Sequence, residues 1–277
     1  LVWRLTIGGQ QSALSVATTS YIGPVITSIT KPATSSVDVL SMPTGGGTRV
    51  QLTGTNLGPL TNNPVTAVYG VSGPAYRYSG VNCVVVTAHT MIECVSSAGV
   101  GHDLVWSVKV GNQSSPSSSA VTSYGVPSVS VITGGSALST AGQDGVVLTG
   151  SNFGPLGTDE HDISAWYGPV TQLTQFTATR CNVTQADTEM RCWTAVGVGY
   201  DHSWTVSVGS QLSVATSTAA SKTSYAVPSI VSVRMSGSST TMRTSGSESI
   251  VINGTNFGPA STAWNVMNAT YSGALGV

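Results

Sequence analysis

The sequence predicts an all-β chain built as a linear array of two-sheet sandwich modules, and three recurring features predict it. The phrase Gly54-Thr55-Asn56-Leu57-Gly58-Pro59 returns as Gly150-Ser151-Asn152-Phe153-Gly154-Pro155 and as Gly254-Thr255-Asn256-Phe257-Gly258-Pro259. A Tyr-x-x-Pro entry precedes each copy, at Tyr21 to Pro24, Tyr124 to Pro127 and Tyr225 to Pro228. Val2-Trp3-Arg4-Leu5-Thr6-Ile7-Gly8 matches Val105-Trp106-Ser107-Val108-Lys109-Val110-Gly111 and Ser203-Trp204-Thr205-Val206-Ser207-Val208-Gly209. Self-similarity at a fixed period sets the architecture before any local reading does.

The elements of one module follow in order. Tyr21, Tyr124 and Tyr225 are 103 and 101 residues apart, and Trp106 and Trp204 are 98 apart. One module is therefore the size of an immunoglobulin-like sandwich. Val126-Pro127-Ser128-Val129-Ser130-Val131 alternates after a proline suited to the first position of a strand. Val50 with Leu52, Val146 with Leu148 and Ile250 with Ile252 share one face of the next strand. The glycine-bearing phrase ends it, its glycines permitting positive φ and its Asn capping its own turn. A third strand is expected at Ala67-Val68-Tyr69, Ala165-Trp166-Tyr167 and Ala269-Thr270-Tyr271. The Cys-bearing strands come next, then Gly-Val-Gly at Gly99 and Gly197, then the Trp strand with apolar residues at every second position. No helix is expected.

On this reading residues 1–20 are the closing strands of a module, 21–123 and 124–224 are complete modules, and 225–277 begin another. The start lacks an initiator Met and a signal-peptide pattern, so the chain reads as a processed or excised piece of a longer one. Hydroxyl-rich tracts at 12–20, 114–123 and 213–224 separate the modules. They read as solvent-facing last strands, with Leu14, Val16, Val121 and Val214 able to pack inward, and O-glycosylation is a compatible second use. With no long linker, fairly rigid end-to-end stacking is expected.

Composition narrows function. Charged residues are 8% of the 277, against about 25% in an average domain, and net charge is -1. Ten Lys plus Arg against eleven acids offer no patch for phosphates, which argues against a nucleic-acid partner. No stretch approaches the length of a membrane span. Cys83 and Cys94 are eleven apart, as are Cys181 and Cys192. Disulfides are favoured over buried free thiols. Zinc fits least, because close C-x-x-C pairs are absent. Disulfides imply an oxidising, extracellular compartment.

Together the Tyr-x-x-Pro entry, the Gly-Thr-Asn-Phe-Gly-Pro turn and the closing Gly-x-Gly…Trp-x-Val-x-Val-Gly strand resemble IPT/TIG repeats, the immunoglobulin-like modules of plexins and transcription factors. The resemblance covers essentially the whole chain. It implies sandwiches of two antiparallel sheets, generally non-catalytic. IPT/TIG modules occur in surface receptors, large extracellular repeat proteins, beside carbohydrate-active enzymes and in Rel-type factors. The last use depends on basic loops, which this chain lacks.

Four sequons are candidate N-glycan acceptors: Asn112, Asn182, Asn253 and Asn268. Asn253 sits where backbone geometry competes for it. Oxygen ligands in Asp159-Glu160-His161-Asp162 could hold calcium, but a solvated loop is favoured, since Thr61-Asn62-Asn63-Pro64 in the first module offers no carboxylate. His102-Asp103 and Asp201-His202 read as turn or strand-end residues, and no nucleophile with an oriented base is found. Trp3, Trp106 and Trp204 could stack on sugar, but their alternation with Val and Leu predicts core anchors. No cofactor is expected. The favoured function is a non-catalytic structural repeat of an extracellular glycosylated fibre, filament or coat, its partners being like subunits, N-glycans and O-glycans. The alternative is the ectodomain of a receptor or adhesin binding protein or carbohydrate, marked by one module departing from the rest with an exposed aromatic or charged patch.

Overall fold

The computed structural model describes residues 1–61, 64–71, 76–237, 241–260 and 267–272. Strands dominate throughout, and the helical content among these residues is one 3-10 turn, Ala219–Ser221. The chain divides into two compact units. One comprises Leu1–Met42, Gly46–Ser97 and Asp103–Ser123. The other comprises Pro43–Gly45, Ala98–His102 and Tyr124–Val277.

In the first unit β1 (Thr6–Ile7) and β2 (Gln10–Gln11) form a hairpin whose turn residues, Gly8 and Gly9, both have positive φ. That is the twist-matched two-residue turn. The sandwich follows as β3 (Val25–Thr30), β4 (Arg49–Thr55), β5 (Val65–Gly70), β6 (Tyr78–Thr87), β7 (Met91–Val95), β8 (Leu104–Val110), β9 (Gln113–Ser114) and β10 (Val121–Thr122). The strands run β10-β8-β5-β6-β7-β4-β3 in one curled antiparallel sheet, with β9 also on β8. The long strand β6 serves both layers. Its start, Tyr78 to Gly80, pairs with β5, while Val81 onward pairs with β7 across a register shift where Asn82 has φ 51. A bulge of this kind bends the strand and strengthens its twist.

The second unit repeats the plan with β11 (Ser128–Thr133), β12 (Gly145–Ser151), β13 (Ile163–Gly168), β14 (Phe176–Gln185), β15 (Glu189–Trp193), β16 (His202–Val208), β17 (Gln211–Leu212) and β18 (Lys222–Thr223). Here β14 bends at Arg180, φ 51. A hairpin of β19 (Ser229–Met235) and β20 (Ile250–Thr255) follows. These are immunoglobulin-like all-β sandwiches.

Alternation along each strand decides what lies inside. Val50, Leu52, Ile92 and Cys94 from one layer meet Ala67, Tyr69, Trp106 and Val108 from the other, all buried. Val146, Leu148, Met190 and Cys192 meet Ala165, Tyr167, Trp204 and Val206 in the second sandwich. Each large apolar side chain so buried contributes about 1.5–3 kcal/mol. Tyr69 stacks on Trp106 with centroids 4.1 Å apart, and Tyr167 on Trp204 at 4.4 Å. These pairs are register partners across β5–β8 and β13–β16. Tyr225, at the head of an entry phrase, closes the core of β11–β18, its hydroxyl 2.8 Å from that of Tyr167.

The repeated phrase has a sharper physical basis than its glycines alone suggest. Gly54, Gly150 and Gly254 sit where a Cβ would lie 1.8, 1.8 and 1.9 Å from the carbonyl oxygens of Val25, Ser128 and Ser229. Close backbone approach requires these first glycines, whereas the second ones, Gly58, Gly154 and Gly258, do take positive φ, at 89, 99 and 91. The Asn residues do adopt the left-handed region, at φ 58, 61 and 60. Their side chains do not cap their own turns; each Nδ2 donates back to the entry segment, to Gly23, Val126 and Val227. Each Asn therefore staples the entry to the end of the second strand of its sandwich or hairpin.

Two of the three hydroxyl tracts overturn their sequence reading, whereas 12–20 is exposed apart from half-buried Ser15. Ser115, Ser118 and Thr122 are buried, as are Ser213, Thr216 and Thr223. The backbone N–H groups of Trp106 and Val108 donate to Ser118 and Ser115, and the Trp106 indole donates to Thr122 at 2.9 Å. Trp204 repeats this with Thr216 and Thr223, and Trp3 with Ser15 and Thr19. Val16 and Val214 face solvent, Leu14 is 54% exposed and Val121 is half-buried. Hydrogen-bonding need turns the hydroxyls inward, because an unpartnered buried N–H costs more than an exposed aliphatic. In the middle tract Ser114, Ser117 and Ser119 are the hydroxyl residues that stay exposed. The strand expected at Ala269 to Tyr271 is irregular, with Tyr271 86% exposed. No ladder partner for it stands among the described residues.

Thr122→Val keeps the shape of the side chain and strands the Trp106 indole N–H. It is expected to cost about 1–3 kcal/mol in urea unfolding, whereas Ser119→Ala, on an exposed hydroxyl, leaves the midpoint unchanged.

Candidate functional site

The candidate site lies on the outer sheet faces and is assembled strand by strand. Cys83–Cys94 and Cys181–Cys192 are disulfides with S–S distances of 2.02 and 2.00 Å. Each joins the bent strand to its neighbour at the bulge, between β6 and β7 or between β14 and β15. The crosslink holds the corner where one strand passes from layer to layer.

Beyond each corner the strand turns one row of side chains outward. In the first sandwich that row is Val81, Val84 and Val86, exposed by 43, 54 and 40%. Ninety-eight residues on, the same places hold Thr179, Asn182 and Thr184. The pairing is identical: Val84 lies opposite Glu93 and Asn182 opposite Arg191, while Val81 lies opposite Val95 and Thr179 opposite Trp193. Glu93 is occupied by Arg49 at 3.2 Å and by Gln51. On the second sandwich Arg180 and Arg191 instead lie against the Trp193 ring, at 4.7 and 5.1 Å from its centroid, and Arg180 donates to Gln143 at 2.7 Å. Sequence reasoning missed this cluster. The 98-residue offset, which aligns Trp193 with Val95, was the signal that could have found it.

The remaining candidates are placed as follows. Asn112 is exposed in the two-residue turn Gly111-Asn112 between β8 and β9. Asn182 is half-buried on the outer face of β14. Asn253 is exposed on β20 with its Nδ2 on Ser232, and Asn268 is exposed in irregular chain. Trp106 and Trp204 are core residues, whereas Trp3 is 61% exposed. Asp159 accepts from the backbone N–H and Nδ1 of His161, and this neighbour holds His161 protonated to higher pH than usual. Among the described residues no group of three or more His, Cys, Asp or Glu is placed to hold a metal. Asn62 and Asn63 lie outside the described residues. No helix among them is long and apolar enough to cross a membrane.

His202 is the strand-end residue expected, the first of β16, but it is buried. It is 2% exposed, ringed by Tyr167, Phe176 and Tyr225 at 6.0, 5.3 and 5.6 Å, with Nε2 on the Val198 carbonyl at 3.2 Å and Nδ1 unpartnered. Leu104 fills this place in the first sandwich. Burial pushes the imidazole below its usual pKa despite Asp201 beside it, itself 3.9 Å from Lys222.

No family model matches the chain, and no curated protein sequence matches it. Among solved structures it is similar to the plexin A4 extracellular region, 19% identical over 80% of this chain and 18% of that one, TM-score 0.29. It is also similar to SGBP-B from a complex xyloglucan utilization locus in Bacteroides uniformis, 16% identical over 69% of this chain and 48% of that one, TM-score 0.25. A third is the chicken CNTN1 FN1-FN3 domains, 11% identical over 76% and 71%, TM-score 0.26. The chain spans about a fifth of the plexin's length and about half of SGBP-B. At TM-scores this low the likenesses say nothing of what this chain binds.

Two outcomes follow from the buried groups. Replacing Cys83 and Cys94 together by Ala should cost the first sandwich about 2–3 kcal/mol, read by urea unfolding. The lowered pKa of His202 means that the unfolded state binds its proton first. Stability is therefore full above the unfolded value near 6.5 and falls as pH drops below it. Thermal melts of His202→Leu should lose this part of the decline between neutral and mildly acidic pH.

Proposed function

We propose that this chain is part of the ectodomain of a cell-surface or secreted repeat protein of IPT/TIG type, non-catalytic, and that it works as a receptor or adhesin through its outer sheet faces. The observation that carries the proposal is the outward row of β6. Two sandwiches share their layer plan and the hydrogen bonds around their core Trp, yet Val81, Val84 and Val86 stand where the other has Thr179, Asn182 and Thr184. Aliphatic side chains in line on an outer face cost solubility without supporting the core, and such faces mark protein contacts. The partner for this face is a protein, since the row offers no hydrogen bond to a sugar. The disulfides support an oxidising, extracellular setting.

A fibre or coat of like subunits is the second reading, favoured by the repetition itself. Sedimentation velocity together with electron microscopy of native material separates the two. The ectodomain reading expects isolated molecules whose binding to cells, followed by flow cytometry, falls at least tenfold in Val84→Thr/Val86→Thr with an unchanged melting temperature. Long regular fibres, or unchanged cell binding in that variant, would replace it.

A further inference from the structure

The outer face of the second sandwich carries a different consequence, which rests on the extracellular reading above. Asn182 opens the sequon Asn182-Val183-Thr184. Its chain neighbours Cys181 and Val183 are buried, so Asn182 points outward. It is the register partner of Arg191, and Thr179, on the same strand, is the partner of Trp193. Directly opposed residues have Cβ atoms about 4.5–5.5 Å apart on one face, so a group attached to Asn182 starts beside the Arg180–Trp193–Arg191 cluster.

That cluster offers hydrogen-bond donors and a ring face to an oxygen-rich ligand. Stacking on the indole fixes the two guanidiniums, and Gln143 fixes one of them further. Neither arginine has a carboxylate partner among the described residues, in contrast to Arg49, which Glu93 neutralises. Their N–H edges remain for acceptor oxygens, and the half-exposed indole adds an apolar edge. The internal repeat supplies the decisive comparison. Where Asn182 is replaced by Val84, Arg180, Arg191 and Trp193 are replaced by Asn82, Glu93 and Val95. At this place on the sheet, sequon and cluster occur together on one sandwich and are absent together from the other.

We propose that Arg180, Trp193 and Arg191 form a platform that seats the first sugars of an N-linked glycan on Asn182. Attachment forms the bond from the sugar C1 to Asn182 Nδ2 and breaks the C1–O bond of a diphosphate-activated oligosaccharide. The diphosphate leaves, and the amide proton passes to a base of the transferase. Hydroxyl and acetamide oxygens of the seated sugars accept from the guanidiniums, and the glycan covers the outer face of β14 and β15.

The test uses the chain secreted from eukaryotic cells. Mass spectrometry after enzymatic deglycosylation should show Asn182 occupied. Release of that glycan from the native protein by peptide N-glycosidase should be slow, and Trp193→Ala/Arg191→Gln should speed it roughly three- to tenfold, as one lost stack and one or two lost hydrogen bonds imply. In the first sandwich, Val84→Asn/Val86→Thr creates a sequon without a platform. Its glycan should be released fast, and adding Asn82→Arg, Glu93→Arg and Val95→Trp should slow it. A chain glycosylated at Asn112 but bare at Asn182 overturns the proposal and leaves the extracellular reading standing. A secreted chain bare at every sequon overturns the proposal too. Equal release rates with and without the platform, in both sandwiches, overturn it as well.

Discussion

The buried Trp strand depends on hydrogen bonds that no neighbouring strand supplies in full. The backbone N–H groups of Trp106 and Val108 and the Trp106 indole all find their acceptors in Ser118, Ser115 and Thr122. Low charge and abundant Ser and Thr then acquire a structural cause. The hydroxyls complete the core's hydrogen bonds as well as coating the surface. The same set around Trp204 and around Trp3 shows that this is the rule of the repeat, not an accident of one copy. With the N–H groups satisfied, the indole can lie flat on Tyr69 or Tyr167 and close the layer above the disulfide-bearing strand.

A constrained interior leaves the outer faces free to differ. The bulge at Asn82 or Arg180 lets one strand serve two layers, and the crosslink beside it keeps that corner in register. Beyond the corner, side chains alternate between a core that tolerates little and a surface that tolerates much. One sandwich uses the outward row for aliphatics beside a neutralised Arg49–Glu93 pair. The other uses it for a sequon beside two stacked arginines. The two sandwiches thus share a layer plan and diverge on these faces.

His202 illustrates the opposite case, a departure that falls inside. It occupies the place of Leu104 and brings an unpartnered nitrogen into an aromatic box. The second sandwich therefore carries a titratable side chain in its core that the first lacks at that place, although the two share their layer plan.

The strands, the paired cysteines and the inward Trp106 and Trp204 were legible in the sequence because alternation, spacing and repetition are properties of neighbouring residues, and a two-residue period needs no partner to be seen. The four sequons were equally legible as patterns. What escaped were contacts set by register between distant strands. The turn Asn reaches back to the entry segment, the hydroxyls face inward while Val214 faces out, Trp3 shares the Trp motif yet stays exposed, and Trp193 gathers Arg180 and Arg191 across a bulge. Alternation states that two faces exist but not which one is buried, nor which residue of the next strand lies opposite. Those choices belong to the folded sheet, where satisfying a buried N–H outweighs hiding an aliphatic side chain.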